Sequence, residues 1–413
     1  MIFNKHTRKA VLNQLFFSLG ILLLIRIGTF LPVPGINHND LAFYIQRHSL
    51  TRSLISTFSG DNIFIIGLFT LNIFPYINAT IFVQLLIGFS PKLAKLQKEG
   101  DFEGRRIITR LTRFITFMWA ILQSIGITLY LRQVLFNWNY LIAIQIIIWL
   151  TTGAMVVLWL SELITDYGLG NGTSLLIYTN IISNLPNLFK KLLTENNQIS
   201  RNFSILGISI LIFISFYGIV LLQQGIRKIP LISSKQLNQS SMQEATDNYL
   251  PLRFNQAGVM PIILTTAVLV IPNYIFNSGI LPQLSFITSF KVFYWIGYFI
   301  LILIFSSFYS SIVLNPKDLS DQLQKLAVSI PGIRPGFQTT FYLKRVIKRI
   351  TLIGATMLGL LTIIPNFIES TLNITGLSGL STTSLLILAG VVLDLIREIE
   401  NIYYSNIYNN MYQ

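Results

Sequence analysis

The sequence predicts an all-α polytopic membrane protein whose ten transmembrane helices form two halves of five. Three observations lead to this fold class. Hydrophobic residues make up 52% of the 413-residue chain and charged residues only 11%, whereas a soluble domain carries about 25% charged residues. About ten stretches are long and apolar enough to cross a bilayer. Prolines interrupt the second and the seventh of these stretches, which are matching positions if the chain consists of two five-span halves.

A membrane-spanning helix needs roughly 20 predominantly apolar residues, and the stretches that meet this condition are numbered here as spans 1 to 10. Span 1 follows a short basic start and leads into LPVPGIN (31–37). Because this is not a small-residue cleavage site, we interpret span 1 as a membrane helix and not as a cleaved signal peptide. The predicted boundaries are 12–32, 72–90, 107–131, 137–160, 171–189, 203–223, 256–275, 292–314, 350–368 and 377–393.

The distribution of Lys and Arg predicts the orientation of these spans. Most of the 30 Lys and Arg residues lie before span 1 or in the loops that share its side, and few lie in the loops of the opposite side. Positive charge is retained on the cytoplasmic side of a membrane. We therefore expect both termini to face the cytosol or the stroma of a plastid.

Much of this charge is concentrated in two long loops, 223–255 and 315–349. One interpretation is an orientation signal that also attracts anionic lipid. The loops are longer than orientation requires, however, and the second contains the turn sequence PGIRPG (331–336). Docking of RNA or of an acidic protein surface is therefore an equally open interpretation.

The residue types that catalysis or ion coupling requires are scarce in the spans. The chain has no Cys, which excludes disulfides, thiolate metal sites and a cysteine nucleophile. Transporters and pumps usually place ionisable groups in the bilayer, whereas here Arg26 lies in span 1 and Asp394 near the end of span 10. We interpret Arg26 as reaching the interface or pairing with a helix end. We expect no enzyme, no cofactor and no metal site.

Glycines and prolines mark the boundaries of several spans. GLGNG (168–172) lacks the lysine of a phosphate-binding loop and predicts a tight turn before span 5. The apolar segment FSGDNIFIIGLFTLNIFPYINATIF (58–82) is broken by glycines, by Asn72 and by Pro75. Pro261 interrupts span 7 in a similar way. Such paired interruptions point to a transport pathway, although membrane helices in general tolerate proline.

Seven stretches, in order along the chain, carry a family resemblance. They are RIGTFLPVPGIN (26–37), FSGDNIFIIGLFTLNIFPYINATIFVQLL (58–86), LAKLQKEGDFEGRR (93–106), GLGNGTSLLI (168–177), NQAGVMPII (255–263), NPKDLSDQLQKLAVSIPGIRPGFQT (315–339) and TSLLI (383–387). Together they resemble SecY, the channel family of the bacterial and plastid protein translocase. The resemblance implies a channel that passes unfolded secretory polypeptides across the membrane and releases hydrophobic helices sideways into lipid.

The family fold is an hourglass of two pseudo-symmetric halves around a central pore, here residues 1–201 (spans 1 to 5) and 202–413 (spans 6 to 10). Residues 54–70 would form the plug, a short helix that seals the outer funnel. By this resemblance the segment 58–82 consists of two pieces, a displaceable plug and a span that begins around Pro75. The candidate plug residues are Phe58, Ile63, Ile65 and Leu68.

The resemblance also implies a ring of six isoleucines that closes around the passing chain. Two pairs among them are spaced i, i+4, which puts both members on one helix face. A ring of branched apolar side chains excludes water and ions and makes no specific hydrogen bonds, so that any sequence can pass. Ordinary packing is the alternative, because isoleucine is very abundant in the chain. The six are Ile73, Ile77, Ile177, Ile181, Ile263 and Ile387.

A sideways exit, or lateral gate, is implied between spans 2 and 3 of one half and spans 7 and 8 of the other. Hydrogen bonds between helices in a bilayer are worth about 1 kcal/mol each, so an apolar signal helix can replace a few of them. Simple adhesion between helices is the alternative role for these polar residues. The candidates are Asn78, Thr80, Gln84, Gln123 and Asn255.

Partners follow from the same resemblance. A SecE-like subunit and a SecG-like subunit are expected in the membrane, and the SecA motor ATPase, the ribosome or both on the two basic loops. Substrates are polypeptides that carry signal peptides, and lipid surrounds the spans. The candidate docking residues are Arg227, Lys228, Arg334, Lys344 and Arg345.

Two other functions remain compatible with ten spans. A secondary transporter or small-solute channel would need membrane-embedded acids or histidines to couple ions, and a membrane insertase would lack the plug and the ring. The abundance of Ile, Asn, Lys, Phe and Tyr is typical of an A/T-rich genome. We therefore expect the thylakoid membrane of a plastid rather than a bacterial inner membrane.

Overall fold

Helices dominate the computed structural model. The chain divides into two compact units, one formed by Met1–Lys190 with Val391–Gln413 and the other by Lys191–Gly390. The predicted division into halves at residue 201 stays a prediction. The structure describes residues 5–34, 66–90, 92–93, 96, 102–131, 139–193, 210, 213–233, 248–256, 258, 260–262, 264–265, 268, 290–372 and 382–411.

The described helices lie at the positions of the predicted spans, and several are longer than predicted. They are α1 (Lys5–Phe30), α2 (Phe74–Phe89), α3 (Phe102–Leu131), α4 (Tyr140–Tyr167), α5 (Gly172–Leu193), α6 (Phe213–Gln224), α7 (Phe290–Val313), α8 (Pro316–Lys325), α9 (Phe337–Leu372) and α10 (Thr382–Met411). Of these, α8 lies within the second basic loop and the others correspond to spans. Most of span 7 lies outside the described residues.

Five of the described segments are long and apolar enough to cross a membrane. They are Val11–Phe30, Glu103–Leu129, Tyr140–Tyr167, Trp295–Lys325 and Phe337–Ile364. Shorter apolar helices are Phe74–Phe89 and Phe213–Gln224. The chain is therefore built as a multi-pass membrane protein.

Two helices extend well beyond the apolar stretches that predicted them. Span 9 was predicted to begin at 350, but α9 begins at Phe337. Span 10 was predicted to end at 393, but α10 continues to Met411. The hydropathy criterion detects only the part that lies in lipid, whereas Lys, Arg and Glu are good helix formers in water. Both helices therefore continue as polar extensions.

In the first unit, α3 packs against both α2 and α4. The hydroxyl groups of Ser124 on α3 and Thr151 on α4 share a hydrogen bond of 3.1 Å between two buried residues. The surrounding core is apolar and joins these helices to the end of α1, to the last part of the predicted plug and to the residues before α2. Its members are Val33, Ile66, Leu71, Ala120, Ile146, Leu150 and Ala154.

In the second unit, α7 packs against α9. The hydroxyl groups of Ser310 and Thr351 share a hydrogen bond of 2.7 Å between these helices. A side chain at Gly359 of α9 would collide with the ring of Phe299 on α7, so this glycine permits the close approach of the two helices. Among the described residues, a buried hydroxyl pair thus joins spans 3 and 4 in the first unit and another joins spans 8 and 9 in the second.

Candidate functional site: a basic module and the channel residues

The two basic loops fold together as one body. In the first loop, β1 (Ile226–Pro230) pairs with β3 (Tyr249–Arg253) as an antiparallel hairpin. The two-residue strand β2 (Ile232–Ser233) of this loop then pairs with β4 (Val328–Ser329) of the second loop. We call this body, residues 225–254 and 315–349 as far as the structure describes them, the basic module.

A shared hydrophobic core holds the basic module together and attaches it to α9. Ile229 and Leu252 contribute from the hairpin and Leu323 from α8. The start of α9 supplies the largest share, because its inward face is apolar at helical spacing. The buried members are Ile229, Leu252, Leu323, Ile330, Leu343, Val346, Ile347 and Ile350.

The PGIRPG sequence forms the turn that precedes α9. Gly332 and Gly336 have φ angles of +74° and +100°, a region that residues with a Cβ avoid. The backbone carbonyl of Arg334 accepts a hydrogen bond of 2.9 Å from the hydroxyl of Thr339, which ties the turn to the first residues of α9. The prediction of ordered turn chemistry in this loop is therefore confirmed.

All five predicted docking residues lie on the surface of the basic module, with exposed side chains: Arg227, Lys228, Arg334, Lys344 and Arg345. Two of them stack on neighbouring aromatic rings. The ammonium of Lys228 lies 4.5 Å from the ring centre of Tyr249, and the guanidinium of Arg345 lies 5.1 Å from that of Phe341. Such cation–π contacts orient long side chains, so these charges stand in defined positions.

The predicted plug joins α2 through a tightly held segment. Pro32 and Gly67 form an isolated antiparallel bridge, and the amide of Leu68 donates to the carbonyl of Leu31 over 2.8 Å. A Cβ on Gly67 would collide with the carbonyl of Thr29. This close approach is possible only because residue 67 has no side chain.

The boundary before α2 is as predicted. Asn72 has a φ of +47°, and its side-chain oxygen accepts a hydrogen bond of 2.9 Å from the amide of Ile73. Asparagine adopts this left-handed conformation more readily than most residues. Pro75 occupies the first turn of α2, where its missing amide costs no helical hydrogen bond.

The GLGNG sequence forms the turn that was predicted before α5. Gly170 has a φ of +84°. The amide of Leu169 donates to the hydroxyl of Ser18 on α1 over 2.9 Å, and the amide of Gly172 donates to the hydroxyl of Thr165 over 3.0 Å. The turn is therefore anchored to α1 and α4.

The predicted pore-ring residues differ in burial. Ile73 is only 1% exposed, whereas Ile77, Ile177, Ile181 and Ile387 are half-buried. The amide of Ile77 donates to the carbonyl of Ile73 over 3.1 Å, so the i, i+4 relation of this pair is present. Ile387 belongs to the second unit and the other four to the first.

Some of the predicted residues lie outside the described part of the chain. These are the ring residue Ile263 and three of the four plug residues, Phe58, Ile63 and Ile65. The fourth plug residue, Leu68, is half-buried within the segment that joins α1 to α2.

Two predicted gate residues carry buried polar atoms without a hydrogen-bond partner in the described part of the chain. They are the side-chain oxygen of Gln123 on α3 and the side-chain nitrogen of Asn255. Leaving a buried polar atom unpaired costs about 1 to 3 kcal/mol. The other three candidates, Asn78, Thr80 and Gln84, are half-buried on α2, and the hydroxyl of Thr80 donates to the carbonyl of Ile77 over 2.8 Å.

Asn255 follows directly on the basic module. The hairpin ends at Arg253, and the amide of Phe254 donates to the carbonyl of Gly225 over 3.0 Å. A Cβ on Gly354 of α9 would collide with the carbonyl of Phe254. The gate candidate is thus held between the hairpin and α9.

Sequence reasoning missed an ion pair between membrane helices. Arg113 of α3 and Glu162 of α4 form two hydrogen bonds of 2.9 Å each. Glu162 lies two residues beyond the predicted end of span 4, so it was counted with the loop. The charged residues within RRIITRLTR (105–113) and SELITD (161–166) were the available signal, because α3 and α4 are consecutive and pack antiparallel.

Comparison with known proteins agrees with this arrangement. Residues 67–396 match the SecY family model. The chain belongs to the SecY family. A protein translocase subunit SecY from Trieres chinensis is 59% identical over 418 residues, which cover 98% of this chain and 98% of the relative. A SecY from Guillardia theta is 43% identical, with coverage of 97% and 96%.

Solved structures share the fold at low sequence identity. One described as the structure of a protein conducting channel superimposes with a TM-score of 0.65 at 18% identity, covering 95% of this chain and 92% of that chain. Sec61 in the canine ribosome-channel complex from the endoplasmic reticulum gives 0.61 at 18% identity, with the same coverage. The predicted SecY fold class is thereby confirmed, and the count of ten helices is consistent with it.

Family membership also confirms the predicted activity. This chain is a protein-conducting channel that passes unfolded secretory polypeptides across the membrane and releases hydrophobic helices sideways into lipid. SecY is a channel family and not an enzyme family. Several of the relatives are plastid-encoded proteins of algae, which supports the plastid assignment.

Proposed function

We propose that the basic module is the surface on which this channel receives its translocation partner. The observation that carries the proposal is the pairing of β2 with β4, which makes one body of two loops far apart in the sequence. Flexible loops that served only for orientation would need no common core. The five exposed cations form a positive surface suited to an RNA phosphate backbone or to an acidic protein surface.

The partner on this surface is the ribosome, the SecA motor ATPase or both. The related Sec61 structure is described as part of a ribosome-channel complex, and a yeast Ssh1 structure as bound to the ribosome. The exposed rings of Phe341 and Tyr249 beside the cations suit a partner that offers bases or aromatic side chains for stacking. Energy for transport comes from the partner, and the channel itself is passive.

Within the membrane, six isoleucines form the pore ring and residues 54–70 form the plug. A ring residue needs exposed surface that can face the passing chain. Partial exposure therefore supports this role for four residues better than for the fully buried Ile73: Ile77, Ile177, Ile181 and Ile387. Ile263 completes the ring by its position in AGVMPII. A ring of this kind seals by excluding water while it accepts any polypeptide sequence.

The lateral gate uses Asn78, Thr80, Gln84, Gln123 and Asn255. The side-chain oxygen of Gln123, an acceptor, and the side-chain nitrogen of Asn255, a donor, have no hydrogen-bond partner among the described residues. A closed gate with such polar groups is only weakly stabilised, since each hydrogen bond between membrane helices contributes about 1 kcal/mol. An apolar signal helix therefore opens it at small cost.

The channel functions in the thylakoid membrane with both termini in the stroma. The excess of Lys and Arg in the basic module and near α3 supports this orientation. A SecE-like and a SecG-like subunit cover the lipid-exposed faces, of which α1 offers many large apolar side chains. The two halves, 1–201 and 202–413, are the moving parts, and the matching hydroxyl pairs of spans 3–4 and 8–9 support this division.

Charge reversal on the basic module tests the proposal. Arg334→Glu and the double variant Arg227→Glu/Lys228→Glu are expected to lower partner-dependent transport at least tenfold, the effect of about 1.4 kcal/mol. Membrane insertion of the channel should not change. Lys317→Glu is the matched control, since Lys317 is an exposed cation of the same loop on α8 outside the proposed set. Normal transport in both variants, or an equal defect in the control, would contradict the proposal.

A further inference from the structure

Arg26 is a cation inside the first membrane helix. It lies in α1 within the candidate span Val11–Phe30. The helix ends at Phe30, about 6 Å beyond Arg26 at a rise of 1.5 Å per residue. Ionisable residues in membrane helices are costly to place and usually have a function. The partner of this charge is therefore a question that the structure raises.

The Arg26 side chain lies at the edge of the exposed apolar face of α1. Leu23 and Phe30 are three residues before it and four residues after it, which places them on the same side of the helix, and both are exposed. Ile21 and Ile25 are buried and mark the side that packs inside the protein. Arg26 itself is half-buried. Its charge therefore lies beside the lipid-facing surface and not in the protein core.

The guanidinium of Arg26 is oriented but not neutralised by the part of the chain that the structure describes. It lies 5.3 Å from the ring centre of Phe30, and such a cation–π contact orients a long side chain. Among the described residues Arg26 forms no ion pair with an acidic side chain. A cation in the last turns of a helix also interacts favourably with the helix dipole, but this contribution does not depend on any ligand.

The position of Arg26 brings lipid phosphates within reach. The hydrocarbon core of the bilayer ends near the last residues of a span and is followed by the headgroup layer. A long arginine side chain reaches this layer while its stem stays along apolar surface. The planar guanidinium matches the oxygens of a phosphate group in a two-pronged arrangement.

The end of α1 also holds the last residues of the proposed plug. The amide of Leu68 donates to the carbonyl of Leu31 over 2.8 Å, and the carbonyl of Thr29 leaves no room for a Cβ on Gly67. The hydroxyl of Thr29 donates to the carbonyl of Arg26 over 2.6 Å. A ligand that immobilises the last turns of α1 therefore also steadies the residues that hold the plug.

We propose that Arg26 binds the phosphate of an anionic lipid headgroup in the leaflet where α1 ends, and that this lipid stabilises the closed channel through the end of α1. The effect on the channel rests on the plug assigned under the proposed function, whereas the binding site does not. Charge complementarity favours an anionic headgroup, because in a zwitterionic headgroup a neighbouring cation already neutralises the phosphate. The lipid gives the guanidinium a counter-ion at the surface of the span.

Labelling with a photoactivatable phosphatidylglycerol tests the site. The channel complex is reconstituted into nanodiscs of phosphatidylcholine with a small share of this probe, and the labelled peptides are identified by mass spectrometry. Arg26→Gln should lower labelling of the end of α1 on the order of tenfold, the loss of one charge-assisted contact, and leave labelling of other peptides unchanged. Arg26→Lys keeps the charge without the planar fork and should fall between. Equal labelling of α1 in wild type and Arg26→Gln would overturn the proposal.

Thermal unfolding separates lipid binding from a purely local effect of the charge. Unlabelled phosphatidylglycerol should raise the unfolding midpoint of the wild-type complex in phosphatidylcholine nanodiscs, and this rise should be lost in Arg26→Gln. Arg334→Gln is the matched control, since Arg334 is an exposed cation of the basic module outside the predicted spans, and it should keep the rise. A drop of the midpoint in Arg26→Gln that is the same with and without phosphatidylglycerol would assign Arg26 to the helix dipole alone and overturn the proposal.

Two further outcomes would assign the charge to a different partner. Inorganic phosphate added to phosphatidylcholine nanodiscs should not raise the midpoint, and a rise equal to that with phosphatidylglycerol would overturn the lipid assignment. Loss of a membrane subunit from the Arg26→Gln complex, with labelling of α1 unchanged, would show that a protein carboxylate is the partner.

Ion leak distinguishes failure of this inference from failure of the plug assignment. In vesicles that contain phosphatidylglycerol, Arg26→Gln should raise the leak several-fold. Removing the part of the plug before Ile66, residues 54–65, should raise the leak in every lipid composition. No leak after this deletion would contradict the plug, while labelling still tests the lipid site. Leak after the deletion but none in Arg26→Gln would overturn the proposed effect of the lipid on the channel.

Discussion

Val33 donates its backbone amide to the carbonyl of Ile66 over 3.1 Å, and this hydrogen bond fastens the end of α1 to the segment that leads into α2. Both residues are 1% exposed and belong to the same hydrophobic core. The last residues of the proposed plug, from Ile66 onwards, are therefore held against the end of α1. The predicted plug, 54–70, is divided by this contact into a part before Ile66 and a fixed end.

Glycine substitutions test how tightly this fixed end is packed. A Cβ on Gly153 of α4 would collide with the carbonyl of Leu68. A Cβ on Gly126 of α3 would instead point into open space. Gly153→Ala should lower the free energy of unfolding by about 1 to 3 kcal/mol through overpacking. Gly126→Ala should leave it unchanged or raise it by about 0.5 to 1 kcal/mol, since alanine favours a helix. Thermal unfolding of the purified complex measures both, and equal effects would contradict the packing described here.

Substitution of the gate residue Asn255, with Asn315 as the control, tests whether the buried side-chain nitrogen of Asn255 has a hydrogen-bond partner. Asn255→Leu removes a buried nitrogen that has no partner in the described part of the chain, so it should not destabilise the complex, because a desolvation cost of about 1 to 3 kcal/mol disappears. Asn315→Leu should cost about 1 kcal/mol, because the Asn315 side chain caps α8 by accepting from the amide of Lys317. A large loss of stability in Asn255→Leu would show that its side chain is satisfied. Export of reporters with graded signal hydrophobicity should shift only in Asn255→Leu.

The two hydroxyl pairs predict similar energetic coupling in the two units. Double-mutant cycles on Ser310→Ala with Thr351→Val, and on Ser124→Ala with Thr151→Val, should each give a coupling of about 0.6 kcal/mol, the average for hydrogen bonds within a membrane protein. Ser311→Ala is the control, since the exposed hydroxyl of Ser311 donates to the carbonyl of Phe308 on its own helix. If the changes in the free energy of unfolding are additive in both cycles, the hydroxyl pairs are not coupled and do not support two matching halves.

Neighbouring isoleucines on α5 test the pore ring. Ile181 is half-buried and assigned to the ring, whereas Ile182 is 38% exposed and assigned to none of the sites. Ile181→Thr preserves the branched shape but adds a hydroxyl group, which should hydrate the constriction and raise ion leak through a closed channel several-fold. Ile182→Thr should leave the leak unchanged. Equal leak in the two variants would contradict the assignment of Ile181.

The sequence was sufficient to predict the helices that lie in lipid, because apolar length alone specifies them. It also predicted the turn chemistry of GLGNG and PGIRPG and the boundary at Asn72 and Pro75, since these residues have strong local preferences. It could not predict that the two basic loops pair through β2 and β4. These strands have two residues each, and 94 residues lie between Ser233 and Val328 along the chain (328 − 233 − 1).

The Arg113–Glu162 pair was missed for a related reason. Span 4 was predicted to end at 160, where the apolar run gives way to SELITD, so Glu162 was assigned to a loop although α4 continues to Tyr167. Whether two charges on neighbouring helices meet depends on helix rotation and register, which packing determines. Whether a polar gate residue finds a hydrogen-bond partner depends on the same packing. Composition alone therefore does not reveal that the side-chain oxygen of Gln123 lacks a partner among the described residues.

Site-specific crosslinking of a stalled translocating polypeptide tests the central claim most directly. The chain has no Cys, so a single cysteine introduced at Ile77, Ile177 or Ile387 reacts only at that position. We expect the stalled polypeptide to crosslink at all three positions, and not at Ile182. Crosslinks at the control and none at the three proposed ring positions would contradict a pore that passes polypeptides through this ring.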